Sequence, residues 1–172
     1  MADDTMCLPF VGAIIERRID DELEFLVQTR WTPKYKSIYN GTLEFAAGKL
    51  DLAYENVYDA ITREVKEETG FTVKKFINQD TTKNFSPQKI DSVFGFRPYC
   101  CTQQLKDGRP WVGFIFRCEV EPGEPVDLEG ESKDVRWISA IELFDMYQNT
   151  PEKLFSLEIP AWEYYFNDLG WL

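Results

Sequence analysis

Residues 43–71, LEFAAGKLDLAYENVYDAITREVKEETGF, form the stretch that decides the fold of this chain. The apolar residues that recur within it at helical spacing are Val57, Ala60, Ile61 and Val65. This spacing predicts an amphipathic helix with one buried side. Gly70 follows the last turn, where glycine commonly ends a helix.

Three glutamates of this helix, Glu64, Glu67 and Glu68, stand at i, i+3 and i+4 and therefore share one side of it. At about 100° per residue, Glu68 lies on the line of the apolar residues and Glu64 within roughly 40° of that line. Like charges that are partly out of water repel one another and lose hydration, so a counter-charge is expected. Oxygen ligands of this kind suit Mg²⁺ or Mn²⁺. The alternative is a solvated acidic patch near a helix end.

The residues around these acids resemble the signature box of the Nudix hydrolase family. That pattern is a Gly, a spacer, a Glu, a second spacer, Arg-Glu, an aliphatic residue, any residue, Glu-Glu, any residue, Gly and an apolar residue. Residues 55–71 fit it at every specified position. The spacer between Gly48 and Glu55 is one residue longer than the family pattern, in the loop before the helix, where insertions are tolerated best.

The resemblance implies an α/β fold, the Nudix α/β/α sandwich with a mixed central sheet, in a single Nudix hydrolase domain over residues 1–172. It also implies Mg²⁺-dependent (or Mn²⁺-dependent) hydrolysis of a nucleoside diphosphate linked to another moiety. In this reaction water attacks a phosphorus of the diphosphate bridge. Ala47-Gly48 before the helix resembles the loop of ADP-ribose pyrophosphatases, some of which carry a proline after the box, for which Pro87 is a candidate. We therefore expect an ADP-ribose-like substrate.

Site residues follow from the same resemblance, position by position. It implies that Glu64, Glu67 and Glu68 bind the metal together with the backbone carbonyl of Ala47 or its neighbour Gly48. Arg63 is expected to orient a box glutamate through charge-assisted hydrogen bonds, and Glu55 to steady the loop. Glu67 and Arg63 are thus expected among the catalytic residues.

Family members often place a further glutamate, as base or metal ligand, in a loop outside the box. Glu131 is the preferred candidate, because it lies six residues before Trp137, where the chain returns to a strand. The other candidates are Glu121, Glu124, Asp127, Glu129 and Asp134. The alternative for all of them is a solvated acidic loop.

Basic and aromatic residues are mixed in the loop over residues 30–40. Trp31 could stack on a base and Arg30 could meet a phosphate. Lys49, after the Ala47-Gly48 turn, could also reach a phosphate. The further candidates in the loop are Lys34, Tyr35 and Lys36. The alternative is a solvated loop with one aromatic residue in the core, and an ordinary surface lysine at position 49.

Composition limits the function classes. The 172 residues, 44% of them hydrophobic, suffice for one domain with a sizeable core. No apolar run is long enough to span a membrane, and the acidic start is unlike a signal peptide, so we expect a cytoplasmic protein. A net charge of −11 argues against a nucleic-acid polymer as partner, but not against a small nucleotide whose charge is met by metal ions.

The chain contains no histidine, which excludes a Ser-His-Asp triad, a Cys-His pair and a zinc site with histidine ligands. It also argues against the isomerase branch of the family, whose pattern includes histidine ligands. The four cysteines show no CxxC spacing and are expected as free thiols. A second function remains open, that of a Nudix-fold module that senses a nucleotide without cleaving it. Such modules typically lose box glutamates, whereas all three are present here.

A sheet with helices packed against it follows from the order of the predicted elements. The predicted strands cover residues 7–18, 23–28, 43–45, 71–77, 92–105, 110–120 and 135–138. Asp107-Gly108 between two of them is a strong hairpin signal. Residues 140–147 predict a helix, and residues 151–172 a partly helical tail. The tail's aromatic residues are expected to pack on the sheet, and the alternative is that they form the surface of a homodimer.

Overall fold

A mixed β-sheet lies between two helical layers in the structure, a computed structural model that describes residues 6–32, 37–106, 108–126 and 132–172. Within these ranges the strands are β1 (Leu8–Ile19), β2 (Glu22–Arg30), β3 (Leu43–Glu44), β4 (Ala46–Lys49), β5 (Val73–Phe76), β6 (Cys100–Gln103), β7 (Trp111–Val120) and β8 (Ser132–Ser139). The helices are α1 (Val57–Thr69), α2 (Ala140–Asn149) and α3 (Ile159–Asp168), with a 3-10 turn over Pro151–Lys153. The predicted α/β/α sandwich is confirmed.

The sheet is assembled around β1. This strand pairs in parallel with β7 and antiparallel with β2 and β4. In turn, β7 pairs antiparallel with β5 and β6, and β2 with β3 and β8. The residues from Val11 to Ile15 are buried without interruption, apolar but for Gly12, because both faces of this central strand are covered.

Helix α1 covers one face of the sheet, as the apolar spacing predicts. The four residues of the predicted stripe, Val57, Ala60, Ile61 and Val65, are all buried. Asn56 caps the helix by accepting hydrogen bonds from two backbone N–H groups of its first turn. Gly70 ends it in the left-handed conformation, with a φ of 76°. Packing against the sheet fixes the rotation of α1, and hence the direction in which its glutamates point.

Helices α2 and α3 cover the opposite face. The aromatic residues Trp162, Tyr165 and Phe166 of α3 are buried there, which confirms that the C-terminal aromatic residues pack on the sheet. The ring of Trp162 lies 5.5 Å from that of Phe45 and 5.1 Å from that of Phe25, measured between centroids. The outer side of α3 is exposed at Tyr164. The C-terminal helix therefore belongs to the same core as the strands that lead into the box.

The strand predicted over residues 92–105 is wrong in its first half, since β6 covers only Cys100–Gln103. Residues 77–99 instead form an irregular, mostly exposed arm with isolated bridges between Thr81 and Phe96 and between Phe85 and Val93. Pro98 lacks the backbone N–H that a continuing strand would need beside β7. The antiparallel pairing of β6 with β7 confirms the predicted hairpin, whose Asp107 lies outside the described residues.

The described residues contain no helix with the length and apolar character needed to cross a membrane. The four cysteines, Cys7, Cys100, Cys101 and Cys118, are free thiols, of which Cys118 is buried.

One ionisable group lies deep in the fold. Glu158, at the start of α3, is only 1% exposed, and its Oε2 accepts a hydrogen bond of 2.8 Å from the backbone N–H of Phe45. Burial raises the pKa of this carboxyl well above its ordinary value, and the neighbouring carboxylates of Glu44 and Glu68 raise it further. The guanidinium of Arg30 acts in the opposite direction without reversing the shift. The fold therefore favours the protonated form of Glu158.

This buried acid makes stability depend on pH. Folding keeps the proton on Glu158, whereas the unfolded chain releases it near the ordinary pKa of about 4.3. Its contribution to stability is thus complete below that pH and is lost as the pH rises toward the folded pKa. Replacing it by a neutral amide, Glu158→Gln, should make the variant gain on the wild type in free energy of unfolding as the pH increases from 5 to about 8. Urea titrations across this range measure the difference, with the exposed Glu152→Gln as control. Parallel curves for wild type and Glu158→Gln would contradict the assignment.

The packing of α3 predicts that substitutions on its two sides differ widely in their effect on the free energy of unfolding. Trp162→Ala removes a buried indole that two phenyl rings contact, and should lower the free energy of unfolding by about 3–5 kcal/mol. Tyr164→Ala on the outer side should change it by less than about 0.5 kcal/mol. Denaturant titration of both variants checks this, and equal losses would show that α3 does not pack as described.

Candidate active site

Gly48 and Glu64 are in unusually close approach. A Cβ atom placed on Gly48 would lie 1.9 Å from Cδ of Glu64 and 2.0 Å from its Oε2. Since a side chain at position 48 would collide with this carboxylate, glycine lets β4 run past Glu64 without displacing its carboxyl group. The longer spacer before Glu55 is taken up by a turn in which the N–H of Glu55 donates to the carbonyl of Leu52. The extra residue thus leaves Gly48 facing the helix.

Glu68 is held by two other elements. Its Oε2 accepts hydrogen bonds from the side-chain amide of Gln28 on β2, at 2.8 Å, and from the backbone N–H of Ala47 on β4, at 3.0 Å. The side chain is partly exposed, but its carboxyl end points inward toward these donors. Burial, followed by the charge of Glu44, raises the pKa of Glu68 to about 8, and the two hydrogen bonds offset only part of this rise.

Arg63 joins the remaining acids of the box. Its guanidinium donates to both carboxylate oxygens of Glu55 at 3.0 Å, to Glu64 at 2.5 Å and to Glu67 at 3.3 Å. The hydrogen bonds from Arg63 lower the pKa of Glu55. At Glu64 burial outweighs the hydrogen bond from Arg63, so the pKa of this carboxyl is raised. The side chain of Glu64 is 12% exposed and that of Glu67 is 59% exposed. The acids therefore range from the buried edge of α1 to open solvent.

The donor set suits a hard divalent cation, but it does not converge on one point. Among the described residues, no three acidic or thiol side chains are grouped closely enough to hold a metal ion. Glu64 and Glu67 turn toward Arg63, while Glu68 turns toward Gln28 and Ala47. All of these atoms are oxygen donors beside a glycine that leaves room for them, which is the chemistry that Mg²⁺ and Mn²⁺ prefer. Binding would require the box carboxylates to exchange contacts with Arg63 for contacts with the ion.

Two of the three residues predicted to contact substrate are occupied by protein groups. Arg30 pairs with Glu44 at 2.8 Å, and its guanidinium lies 4.6 Å from the centre of the Phe155 ring. Trp31 is 40% exposed, and the ammonium of Lys133 lies 3.4 Å from the centre of its ring. Lys49 is exposed, at the end of β4. The loop candidates Lys34, Tyr35 and Lys36 lie outside the described residues.

The acidic loop before β8 is described only in part. Glu131 lies outside the described residues, as do Asp127 and Glu129. Of the other candidates, Glu121 and Glu124 are exposed, and Asp134 forms an ion pair of 2.6 Å with Arg136.

Three buried polar residues near the box were missed from the sequence. Gln28 follows Phe25, Leu26 and Val27 on β2, so a polar residue at an otherwise buried strand position was the available signal. Glu44, between two buried apolar residues, carried a similar signal. Glu158 had none, because it approaches Phe45 from a distant part of the chain.

Comparison with known protein families finds a family model that matches this chain. The model of the NUDIX domain matches residues 9–158, most of the chain, including the box. Among curated proteins, none matches.

Solved structures of this family share the fold. The NUDIX domain of Shewanella oneidensis NrtR, complexed with ADP ribose, aligns with a TM-score of 0.65 and 14% identity, over 95% of this chain and 89% of that one. The MutT protein of Methanosarcina mazei Go1 gives a TM-score of 0.62 and 19% identity, over 96% and 97% of the two chains. A C. elegans Ap4A hydrolase binary complex gives 0.59 and 15%, over 96% and 99%.

These likenesses confirm the predicted α/β Nudix fold, with its mixed central sheet and three helices. Because the family model covers most of the chain, the match confirms the family that the box indicated. The chain belongs to the Nudix hydrolase family.

Proposed function

We propose that this chain hydrolyses a nucleoside diphosphate linked to another moiety, with an ADP-ribose-like compound as substrate and Mg²⁺ (or Mn²⁺) as cofactor. The observation that carries the proposal is the close approach of Gly48 to Glu64, next to the contact between Ala47 and Glu68. These contacts bring two box carboxylates and the backbone of β4 together at one end of α1. Solvated surface acids would not require this arrangement.

The box residues have different roles in the proposed reaction. Glu64, Glu67 and Glu68, with the carbonyl of Ala47, would hold the ion. When bound, a divalent cation neutralises the charge that develops on phosphate oxygens and lowers the pKa of water. Arg63 orients Glu64 and Glu67 through its hydrogen bonds, and its pairing with Glu55 fixes the guanidinium itself.

The remaining assignments are part of the same proposal. Glu131 is proposed as the base or additional ligand contributed by the acidic loop, and Arg30, Trp31 and Lys49 as substrate contacts. Exposure supports Trp31 and Lys49. Arg30 would have to exchange its contact with Glu44 for a contact with the substrate. The NrtR domain bound to ADP ribose supports an ADP-ribose-like ligand, and the Ap4A hydrolase supports a nucleotide more generally.

We further propose that residues 1–172 act as one domain, because α3 and the sheet share one core. The proposed partner is a small-molecule nucleotide rather than a nucleic-acid polymer or a membrane, which accords with the net charge of −11. A cytoplasmic location and a homodimer stay predictions.

The substrate is tested directly with a panel of ADP-ribose, NADH, nucleotide sugars, dinucleoside polyphosphates and nucleoside triphosphates, each with and without Mg²⁺. ADP-ribose should be cleaved fastest, and only with metal. Glu68→Gln, which removes a charged ligand but keeps the shape, should lower kcat by on the order of 100-fold. The exposed Glu142→Gln on α2 should leave it unchanged.

Faster cleavage of another compound would overturn the proposed substrate. Nucleotide binding without turnover of any compound would instead support the sensor function.

Gly48→Ala tests the close approach of β4 to the box. The new methyl group would occupy the position of the Glu64 carboxyl group, which must then move away. We expect Mn²⁺ affinity, measured by calorimetry, to weaken about 10–100-fold, with a matching loss of turnover. Gly123→Ala is the control, because a Cβ there meets its nearest atom at 3.4 Å. Unchanged Mn²⁺ affinity in Gly48→Ala would show that Glu64 does not bind metal in this position.

A further inference from the structure

The C-terminal segment before α3 contacts the strands that lead into the box. Leu154 forms a parallel bridge with Leu43, and the N–H of Phe155 donates to the carbonyl of Leu43 at 2.8 Å. Three residues further on, Glu158 accepts a hydrogen bond from the N–H of Phe45 at 2.8 Å. Together these contacts hold β3 and the start of β4 against the C-terminal part of the core.

Phe45 occupies the break between the two strands. The pairing of β3 with β2 ends at Glu44, and the pairing of β4 with β1 begins at Ala46. The N–H of Phe45 is therefore placed where a side chain, rather than a neighbouring strand, must satisfy it. Two residues later the N–H of Ala47 reaches Glu68. A change in direction at Phe45 would move this donor.

The position of Glu158 is unfavourable for the fold alone. It is the N-cap residue of α3, yet its side chain makes no capping hydrogen bond and turns into the core. Its Oε1 is buried and has no hydrogen-bond partner among the described residues. Burying a carboxyl group in this way is costly. A serine or aspartate would cap the helix better, so the inward contact with Phe45 needs another explanation.

We propose that Glu158 is a positioning residue for the box carboxylates. It holds the N–H of Phe45 so that the N–H of Ala47 can donate to Glu68 and the backbone at Gly48 passes Glu64 without a clash. The inference rests on the proposed function, since it assigns Glu158 an effect on metal binding and turnover through these neighbours. Glu158 itself touches neither substrate nor metal in this scheme.

The contact requires an acceptor, not a charge. Because the N–H of Phe45 donates to a single oxygen of Glu158, an amide oxygen can take the place of that carboxyl oxygen. Glu158→Gln retains an oxygen for Phe45, whereas Glu158→Leu fills similar space without one and leaves the N–H of Phe45 unsatisfied. Phe166→Leu is the matched control, because it loosens the packing of α3 against Phe144 and Trp171 and leaves the hydrogen bond between Phe45 and Glu158 with both partners.

The test measures Mn²⁺ affinity, kcat and the free energy of unfolding for wild type and these variants. Glu158→Leu should weaken Mn²⁺ binding and lower kcat, each about 10–100-fold. Glu158→Gln should stay close to wild type in both, and Phe166→Leu should lose stability alone.

If Glu158→Leu does not fold, Glu158→Asp, which withdraws the carboxyl by one methylene, should show the same losses in milder form. Metal affinity and kcat unchanged in Glu158→Leu, or in Glu158→Asp where that variant replaces it, would overturn the proposal. Glu158→Gln as impaired as Glu158→Leu would overturn it too.

An NMR measurement separates this proposal from the proposed function. The backbone amide resonances of Ala47 and Gly48 should shift in Glu158→Leu, or in Glu158→Asp where that variant replaces it, and stay in place in Glu158→Gln, with no metal or substrate present. If wild type neither binds Mn²⁺ nor hydrolyses any compound, the proposed function fails, and these resonances still decide whether Glu158 positions β4. Unshifted resonances in the variant without a close acceptor would overturn the positioning role.

Discussion

The carboxylates of α1 lie where the helix meets the sheet, and their partial removal from water is the constraint on which the rest of the site depends. Each must find a donor or a cation, because an unpaired charge at this depth is destabilising. Glu64 meets the guanidinium of Arg63, and Glu68 meets Gln28 and the N–H of Ala47. The raised pKa of about 8 at Glu68 shows that these donors leave part of the cost of burial uncompensated. A divalent cation would supply the missing charge.

This constraint explains why residues far apart in the chain converge at one end of α1. Strand β2 contributes Gln28, and β4 contributes a backbone N–H together with a glycine that lets the chain pass Glu64. The C-terminal segment contributes Glu158, which holds β4 at its beginning. Gly48, Glu68, and Arg63 with its partners belong to the box itself, whereas Gln28 and Glu158 lie outside it. The box thus provides the chemical groups, and the sheet and α3 provide the positions from which they act.

The helix and its buried side were predictable, because apolar spacing and a terminal glycine are local signals that tertiary packing reinforced. The resemblance located the box glutamates because the family pattern is also a local signal, contained in one short stretch of sequence. Gln28 was harder to find, since its importance lies in a contact with Glu68 forty positions along the chain. Glu158 could not be recognised, because an acid before a helix ordinarily caps it, and only the packed fold turns this one inward. Residues 92–99 were mistaken for the start of a strand because their apolar residues resemble one, although Pro98 prevents continuous pairing with β7.

The central claim is that the box acids are arranged to take a divalent cation, and the unfolding of metal-free protein in increasing Mg²⁺ tests it most directly. Ligand binding to the folded state alone raises the free energy of unfolding by about 2.7 kcal/mol at a hundredfold excess over Kd. The account predicts a rise of this size for wild type, above the effect of KCl at matched ionic strength, which screens the net charge of −11. Equal effects of Mg²⁺ and KCl would contradict it, because the acids would then be solvated surface charges with no ion to hold.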